Sequence, residues 1–181
     1  MSKVGVFYVS HANLVANYGK TENTMPLTAR AMTETEKDDA FGLLNAFLSK
    51  DAHFLDSSPA YGGGGEDALR AALALFVSSP ERGFVWLLYE SGVAVACCVA
   101  CFAISTTAGG IVVKLDDVSV APGREGSGFG SALMDTLKTE LRRRGVKRID
   151  TSCHVDNAGA HAFYVRHGFR EVREERLAHV L

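Results

Sequence analysis

An apolar run that passes directly into a glycine-rich loop and then into a periodic helix constrains this chain most. Residues 112–120 are rich in valine and predict a strand, which ends at the Ala-Pro-Gly of residues 121–123. Gly126, Gly128 and Gly130 follow, and leucines then recur at helical spacing as far as Leu141. Glycines leave backbone N–H groups accessible, and the helix directs its unpaired N–H groups and positive dipole end to the same point. This layout predicts a phosphate site at the start of the helix, with a ligand-free turn as the alternative.

Three known glycine patterns do not fit this loop. A mononucleotide P-loop ends in Gly-Lys-Ser/Thr, but Phe129 follows Gly128 here. A dinucleotide fingerprint needs glycine or alanine where this chain has Ser131. A nucleophile elbow needs Gly-x-Ser-x-Gly, whereas Ser127 has a glycine directly on each side. The loop therefore predicts a different kind of phosphate ligand.

The loop resembles the acetyl-CoA loop of the GCN5-related N-acetyltransferases. Their pattern is Gln or Arg, two free positions, Gly, one free position, then Gly or Ala, soon after Val-x-Pro; here it falls on residues 125–130, after Val-Ala-Pro. Glu125 departs from it, but the family holds the pyrophosphate mainly through backbone amides, so its charge need only point away, with Arg124 to offset it. The resemblance implies cofactor contacts at these positions: Glu125, Gly126, Ser127, Gly128, Phe129, Gly130 and Ser131.

A second stretch, residues 157–169, resembles the family's later motif, Asn-x-x-Ala-x-x-Phe-Tyr followed by Gly-Phe. Every marked position is filled: Asn157, Ala160, Phe163, Tyr164, Gly168 and Phe169. The resemblance extends over about residues 84–172. It implies that Asn157 and Tyr164 contact the cofactor and that the backbone of Val118, Ser119 and Val120 binds the pantetheine arm as an added strand would.

Acetyl transfer to an amine needs two proton-handling groups, because the ammonium must lose a proton and the departing thiolate must gain one. Tyr164 occupies the family's general-acid position, and Phe163 beside it is the better core candidate. Asp116 and Asp117 are the candidate bases, and strand alternation predicts that they face opposite sides. Asp116 matches the acidic residue that acts through water in the polyamine-acetylating branch, so Asp116 is expected to face the acceptor. Solvated strand-end carboxylates are the alternative, as are His154 and His161 for the base.

The rest of the chain predicts an α/β (α+β) fold, a mixed and mostly antiparallel twisted sheet flanked by helices. The element order is β, α, α, β, β, β, α, β, α, β, with strands predicted at 84–89, 93–104 and 111–120 and a capping box at Thr33–Glu36. Residues 27–181 are expected to form one acetyltransferase-like domain after an N-terminal extension of residues 1–26. That extension adds a strand, covers the domain, or is partly disordered. Residues 57–65, which include four consecutive glycines, predict a flexible connector or a mobile flap over the acceptor site.

Charge and composition exclude several partners. The net charge of −2 provides no basic field for nucleic acid, and no apolar run reaches membrane-spanning length. The four cysteines have no metal-binding spacing and indicate a reducing, cytoplasmic location. The predicted function is acetyl transfer from acetyl-CoA, without a metal, to a primary amine, either a small polyamine-like molecule or a peptide amino group. A non-catalytic acyl-CoA-binding sensor is the alternative, and the sequence leaves a homodimer open.

Overall fold

The computed structural model describes residues 14–16, 27–52, 55, 60 and 64–180, and this part forms a sheet with helices on both faces. The strands are β1 (Leu14–Ala16), β2 (Leu27–Ala31), β3 (Gly83–Glu90), β4 (Val93–Ser105), β5 (Gly110–Val120) and β6 (Ile149–Thr151). The helices are α1 (Lys37–Leu48), α2 (Glu66–Ser78), α3 (Phe129–Arg143) and α4 (Ala158–Arg166). No helix in these residues is long and apolar enough to cross a membrane.

The strands lie in the sheet in chain order. β1 to β5 form an antiparallel meander, whereas β6 pairs in parallel with β5 after the crossover through α3. The predicted mixed, mostly antiparallel sheet flanked by helices is confirmed.

Helices cover both faces of the sheet, and the central strands are therefore apolar on both sides. On β3, Trp86 and Leu88 face the layer formed by α3, while Leu87 and Tyr89 face α1 and α2. The two layers place the start of α3 on one face of the sheet and α1 on the other.

The first helical segment begins as its sequence predicts. The Thr33 N–H donates to the Glu36 carboxylate at 2.9 Å, which completes the capping box over a 3₁₀ turn that leads into α1. Of the N-terminal extension, Leu14–Ala16 forms β1 and pairs with β2. The remainder of residues 1–26 and most of the predicted connector or flap at 57–65 lie outside the described residues.

The predicted strand after α4 is wrong. Phe169 packs against the core, but residues 170–180 form no helix or strand and are exposed. Charged residues dominate this segment, so it offers no continuous apolar face that a strand could bury. The strand predicted between the last two helices is short, because only Ile149–Thr151 pair with β5.

Two arginines at the end of α3, Arg143 and Arg144, have a structural role. Glu140 is buried, and it accepts hydrogen bonds from Arg143 at 2.8 Å and Arg144 at 2.7 Å. Burial raises the pKa of Glu140, but the hydrogen bonds from both arginines outweigh that effect and leave the pKa below its usual value. Arg144 also lies over the ring of Phe84.

One buried hydrogen bond links the sheet to α3. The indole N–H of Trp86 donates to the Thr136 hydroxyl at 3.1 Å, and that hydroxyl donates to the Ala132 carbonyl at 2.9 Å. Trp86 is 1% exposed and Thr136 is 3% exposed, so water cannot replace the bond.

We predict that Thr136→Val destabilises the fold by about 1–3 kcal/mol, because it leaves the buried indole N–H without an acceptor. Thr139→Val is the matched control, since Thr139 is exposed on the same helix and its hydroxyl also bonds to the carbonyl four residues earlier. Its effect should stay within about 0.5 kcal/mol. Urea denaturation measures both changes, and equal losses would contradict the assigned role of Thr136.

Candidate active site

A cleft opens where β5 and β6 separate. The two strands pair only between Val113–Leu115 and Ile149–Thr151, and the Thr151 hydroxyl donates to the Leu115 carbonyl at 3.0 Å at the end of this pairing. β5 continues to Val120 along β4, and beyond Leu115 no described strand pairs with its other edge. The cleft has a volume of about 490 Å³ and is lined by Phe47, Asp51, Lys114, Asp116, Asp117, Val118, Ser152, Cys153, His154, Asn157, Ala160, Tyr164 and Arg176.

A β-bulge in β5 brings both predicted carboxylates into this cleft. Val99 pairs with Asp116 and Cys97 with Ser119, so Cys98 alone lies opposite two residues, Asp117 and Val118. Asp117 adopts φ +50°, a left-handed conformation that costs on the order of 1 kcal/mol in a residue other than glycine. The prediction that alternation turns Asp116 and Asp117 to opposite faces is wrong, because the extra residue interrupts the alternation at this point.

The two carboxylates have different environments. Asp116 forms an ion pair with Lys114, whose Nζ lies 2.5 Å from Oδ2. Burial, together with the neighbouring charge of Asp116, raises the pKa of Asp117 to about 6, while the positive charges of Lys114 and Arg176 act in the opposite direction. Asp117 can therefore accept a proton near neutral pH more readily than an exposed aspartate.

Tyr164 lines the cleft from α4. Its ring packs edge-on against Phe163 and Phe169, with centroids 5.4 Å and 5.3 Å away. Burial raises the pKa of Tyr164, although its hydrogen bond with Thr151 opposes the change. The phenol is consequently protonated at neutral pH and can serve as a proton donor.

Asn157 sets the start of α4. Its Oδ1 accepts a hydrogen bond from the Ala160 N–H at 2.9 Å, which caps the helix and holds the Asn157 side chain at the edge of the cleft.

The glycine loop presents unpaired amides at the start of α3. Gly126 and Gly128 have φ values of +76° and +86°, and the first helical bond runs from the Ala132 N–H to the Gly128 carbonyl at 3.0 Å. The N–H groups of Phe129, Gly130 and Ser131 precede that bond, and no side chain caps the helix. The loop therefore has the donors and the open backbone that a phosphate group needs.

Arg124, which was predicted to offset the charge of Glu125, interacts with a different carboxylate. The Arg124 guanidinium pairs with Glu90 and lies 4.8 Å from the centre of the Phe129 ring, so it fixes the loop to the domain. Glu125 is exposed. The Arg124 guanidinium is thus engaged by Glu90, and solvent screens the charge of Glu125.

The free edge of β5 lies between the loop and the carboxylates. Ser119 is 7% exposed and its hydroxyl bonds to the Cys97 thiol at 3.2 Å, so its side chain faces the core. Along this edge Ser119 can therefore serve a ligand only through its backbone.

His154 and His161, the alternative candidates for the base, occupy different places. His154 lines the cleft, and its Nδ1 accepts a hydrogen bond from the Asp156 N–H at 3.2 Å. His161 is exposed and bonds to Glu171 at 2.7 Å, and it does not line the cleft.

Several lining residues escaped the sequence analysis. Lys114 lies two positions before Asp116, so alternation along β5 was a signal for its place on the same face. Cys153 and Arg176 had no such signal, because they belong to irregular segments that only tertiary packing brings to the cleft.

Known proteins resemble this chain in sequence and in fold. The model of the acetyltransferase (GNAT) family matches residues 50–169. A mycothiol acetyltransferase from Beutenbergia cavernae is 31% identical over 133 residues, which is 61% of this chain and 44% of that protein. The chain thus spans less than half the length of this relative.

Solved structures share the fold. The integron cassette protein HFX_CASS3 from the Cole Harbour salt marsh metagenome has a TM-score of 0.68 at 24% identity, covering 84% of this chain and 90% of that one. AAC(6')-Iy, in complex with the bisubstrate analogue CoA-S-monomethyl-acetylneamine, has a TM-score of 0.66 at 16% identity, covering 86% and 98%. The family match covers well over half of the chain, and the chain therefore belongs to the acetyltransferase (GNAT) family.

Proposed function

We propose that this protein transfers the acetyl group of its co-substrate, acetyl-CoA, to a primary amine of a small molecule or peptide. The amine attacks the acetyl group directly in a ternary complex. The observation that supports this proposal best is the cleft between β5 and β6, which is lined by two carboxylates from one strand and a partly buried phenol from α4. A candidate base and a candidate acid thus line the same cleft. The unpaired edge of β5 leads from this cleft to the glycine loop.

In this proposal the co-substrate lies along the free edge of β5. The amides of residues 126–131 hold the pyrophosphate at the start of α3, and the backbone of Val118, Ser119 and Val120 binds the pantetheine arm. The Asn157 side chain contacts the arm from the opposite wall. When bound, acetyl-CoA supplies a thioester whose acetyl carbon is open to attack by an amine.

The proton transfers are assigned to Asp117 and Tyr164. The Asp117 carboxylate takes a proton from the acceptor nitrogen, directly or through one water molecule, as the new C–N bond forms. The Tyr164 hydroxyl gives its proton to the sulfur as the C–S bond breaks, and solvent then returns a proton to the phenolate. Asp116 contributes its negative charge, which attracts a cationic amine and raises the pKa of Asp117.

A non-catalytic acyl-CoA sensor is the second candidate, but the Asp117 and Tyr164 arrangement favours catalysis. Acetyl-CoA-dependent thiol release with a panel of amines separates the two. An enzyme releases thiol in proportion to amine concentration, whereas a sensor binds acetyl-CoA and releases no more thiol than hydrolysis does.

We predict that Ser127→Asp weakens acetyl-CoA binding roughly fivefold or more at low salt, since a like charge at 4 Å costs about 1 kcal/mol in water. Ser127 is exposed in the loop, so the substitution avoids the strain that any side chain would suffer at Gly128. Ser127→Asn is the uncharged control of the same shape. Calorimetry measures both affinities, and equal affinities would argue against a pyrophosphate at this loop.

Tyr164→Phe should lower kcat roughly a hundredfold with little change in acetyl-CoA affinity, because it removes the proton donor and keeps the ring. Tyr89→Phe is the matched control, since its buried hydroxyl bonds to Asp39 at 2.9 Å on the other face of the sheet. That variant should keep kcat within about twofold. Steady-state thiol release gives both values, and a fully active Tyr164→Phe enzyme would exclude Tyr164 as the acid.

The pKa of about 6 at Asp117 predicts the acidic limb of the pH profile. A base works when it is deprotonated, so kcat/KM should fall as the pH drops below about 6. Asp117→Asn should lower kcat/KM and remove this limb. Asp116→Asn removes a charge that raises the pKa of Asp117, so the limb should move to lower pH, whereas Lys114→Gln should move it to higher pH. An unchanged limb in Asp117→Asn would assign the base elsewhere.

A further inference from the structure

A histidine at the end of α4 contacts the first turn of α3, and the proposed reaction does not use it. His167 directly follows the last residue of α4, and its Nε2 lies 3.2 Å from the Ser131 hydroxyl. Its Nδ1 lies 3.8 Å from the Asp135 carboxylate, one turn further along α3. The side chain is 10% exposed, and its ring packs on that of Phe163 with centroids 4.6 Å apart. Packing thus directs both ring nitrogens of His167 toward α3.

The Ser131 hydroxyl lies beside the proposed pyrophosphate site. The N–H of Ser131 precedes the first helical bond of α3, which starts at the Ala132 N–H, so this amide is one of the donors offered to a phosphate. Since Oγ belongs to the same residue, a phosphate group that accepts the amide proton lies within reach of the hydroxyl. The hydrogen bond between Ser131 and His167 therefore connects the glycine loop to a group that can change its charge.

While His167 is neutral, the Ser131 hydroxyl is a poor phosphate donor. The negative charge of Asp135 favours the ring proton on Nδ1, so Nε2 is an acceptor and the hydroxyl donates to it. A serine hydroxyl has one proton, and this bond uses it. An incoming phosphate oxygen then meets only the lone pairs of Oγ, and these repel it.

Protonation of His167 reverses this bond. Both ring nitrogens become donors, so Nε2 donates to the hydroxyl and the proton of Ser131 is released for a phosphate oxygen. Burial and the positive charges of Lys138 and Arg166 keep the pKa of His167 below its ordinary value, although Asp135 acts in the opposite direction. A bound pyrophosphate adds negative charge next to this group and raises its pKa, so binding draws a proton from solvent.

We propose that His167 is a positioning residue for the co-substrate: in its protonated form it turns the Ser131 hydroxyl toward the pyrophosphate, so that acetyl-CoA binding is coupled to the uptake of a proton. This assignment rests on the proposed place of the pyrophosphate at the glycine loop and deepens it. The coupling has a definite sign. Because the pKa of His167 is higher in the complex, affinity increases as the pH falls through the interval between the two pKa values. Above that interval His167 is neutral in both states and affinity no longer depends on it.

Calorimetry measures this proton uptake directly. Acetyl-CoA binding heats are recorded at about pH 6 in two buffers of different ionisation enthalpy, and the difference between them gives the number of protons taken up. The phosphate monoester of the ligand also titrates near this pH, but it does so equally in every variant. Uptake by the wild-type protein should therefore exceed that of His167→Gln, which has no titrating ring, by about 0.3 proton or more.

His161→Gln is the matched control for this measurement. His161 is an exposed histidine of the same helix, and it bonds to Glu171 at 2.7 Å on a part of α4 away from the loop. Its variant should take up as many protons as the wild-type protein. A smaller uptake in His161→Gln than in His167→Gln would contradict the assignment to His167.

Ser131→Ala tests whether the hydroxyl carries the coupling. At about pH 6 it should weaken acetyl-CoA binding about fivefold or more, because it removes a charge-assisted hydrogen bond to a phosphate. At about pH 8 the loss should stay within about twofold, since the hydroxyl proton is then engaged by His167. A contact that only supports the fold would cost the same affinity at both pH values.

Failure of the coupling is distinct from failure of the proposed function. Equal proton uptake in the wild-type protein and His167→Gln, or equal losses at both pH values in Ser131→Ala, would overturn the coupling and leave His167 as a packing residue. Acetyl-CoA affinities that are equal in Ser127→Asp and Ser127→Asn would overturn the pyrophosphate site and the coupling together. Amine-dependent thiol release depends on neither result, so it tests acetyl transfer separately.

Discussion

The short pairing between β5 and β6 is the constraint on which the site depends. β5 is bonded to β4 along most of its length, but to β6 over only three residue pairs. Without this separation, β6 would occupy the edge that Val118, Ser119 and Val120 offer to a ligand, and the cleft would be closed. The bulge acts at the same place, because it inserts one residue where the strands part and brings a second carboxylate into the opening. The site therefore exists because the hydrogen-bond ladder between β5 and β6 is incomplete. The orientation of the Asp117 side chain depends on a strained backbone conformation at that residue.

Two packing contacts hold the glycine loop and Tyr164 close together. A Cβ on Gly130 would lie 3.3 Å from the Phe163 ring, so glycine allows α4 to approach the first turn of α3. One turn further along α4, His167 bonds to the Ser131 hydroxyl at 3.2 Å and stacks on Phe163 with ring centroids 4.6 Å apart. Burial lowers the pKa of His167, so this contact is made by a neutral imidazole at pH 7. Because the ring of Phe163 also packs against Tyr164, the same contacts link the first turn of α3 to the phenol.

The sequence was sufficient where local chemistry decides the structure. The glycines of the loop, the capping box at Thr33–Glu36 and the apolar periodicity of α3 each have a local physical cause, and the structure places all of them as predicted. The bulge was not predictable, because residues 112–120 look like a regular strand and no glycine marks the position at which Asp117 takes a positive φ. Arg176 was not predictable either, since the charged C-terminal segment carries no periodicity and reaches the cleft only through tertiary contacts. The failures therefore lie where non-local packing determines the position of a side chain.

Two adjacent carboxylates in a partly buried cleft would both be costly to ionise, and the chain resolves this by treating them differently. Lys114 pairs with Asp116, whose negative charge raises the pKa of Asp117, while the positive charges of Lys114 and Arg176 lower that pKa. In the proposed reaction, a pKa of about 6 leaves Asp117 deprotonated at neutral pH and yet a stronger base than an exposed aspartate. One strand thus supplies a charge and a candidate base from adjacent positions, because the bulge turns both carboxylates to the same cleft.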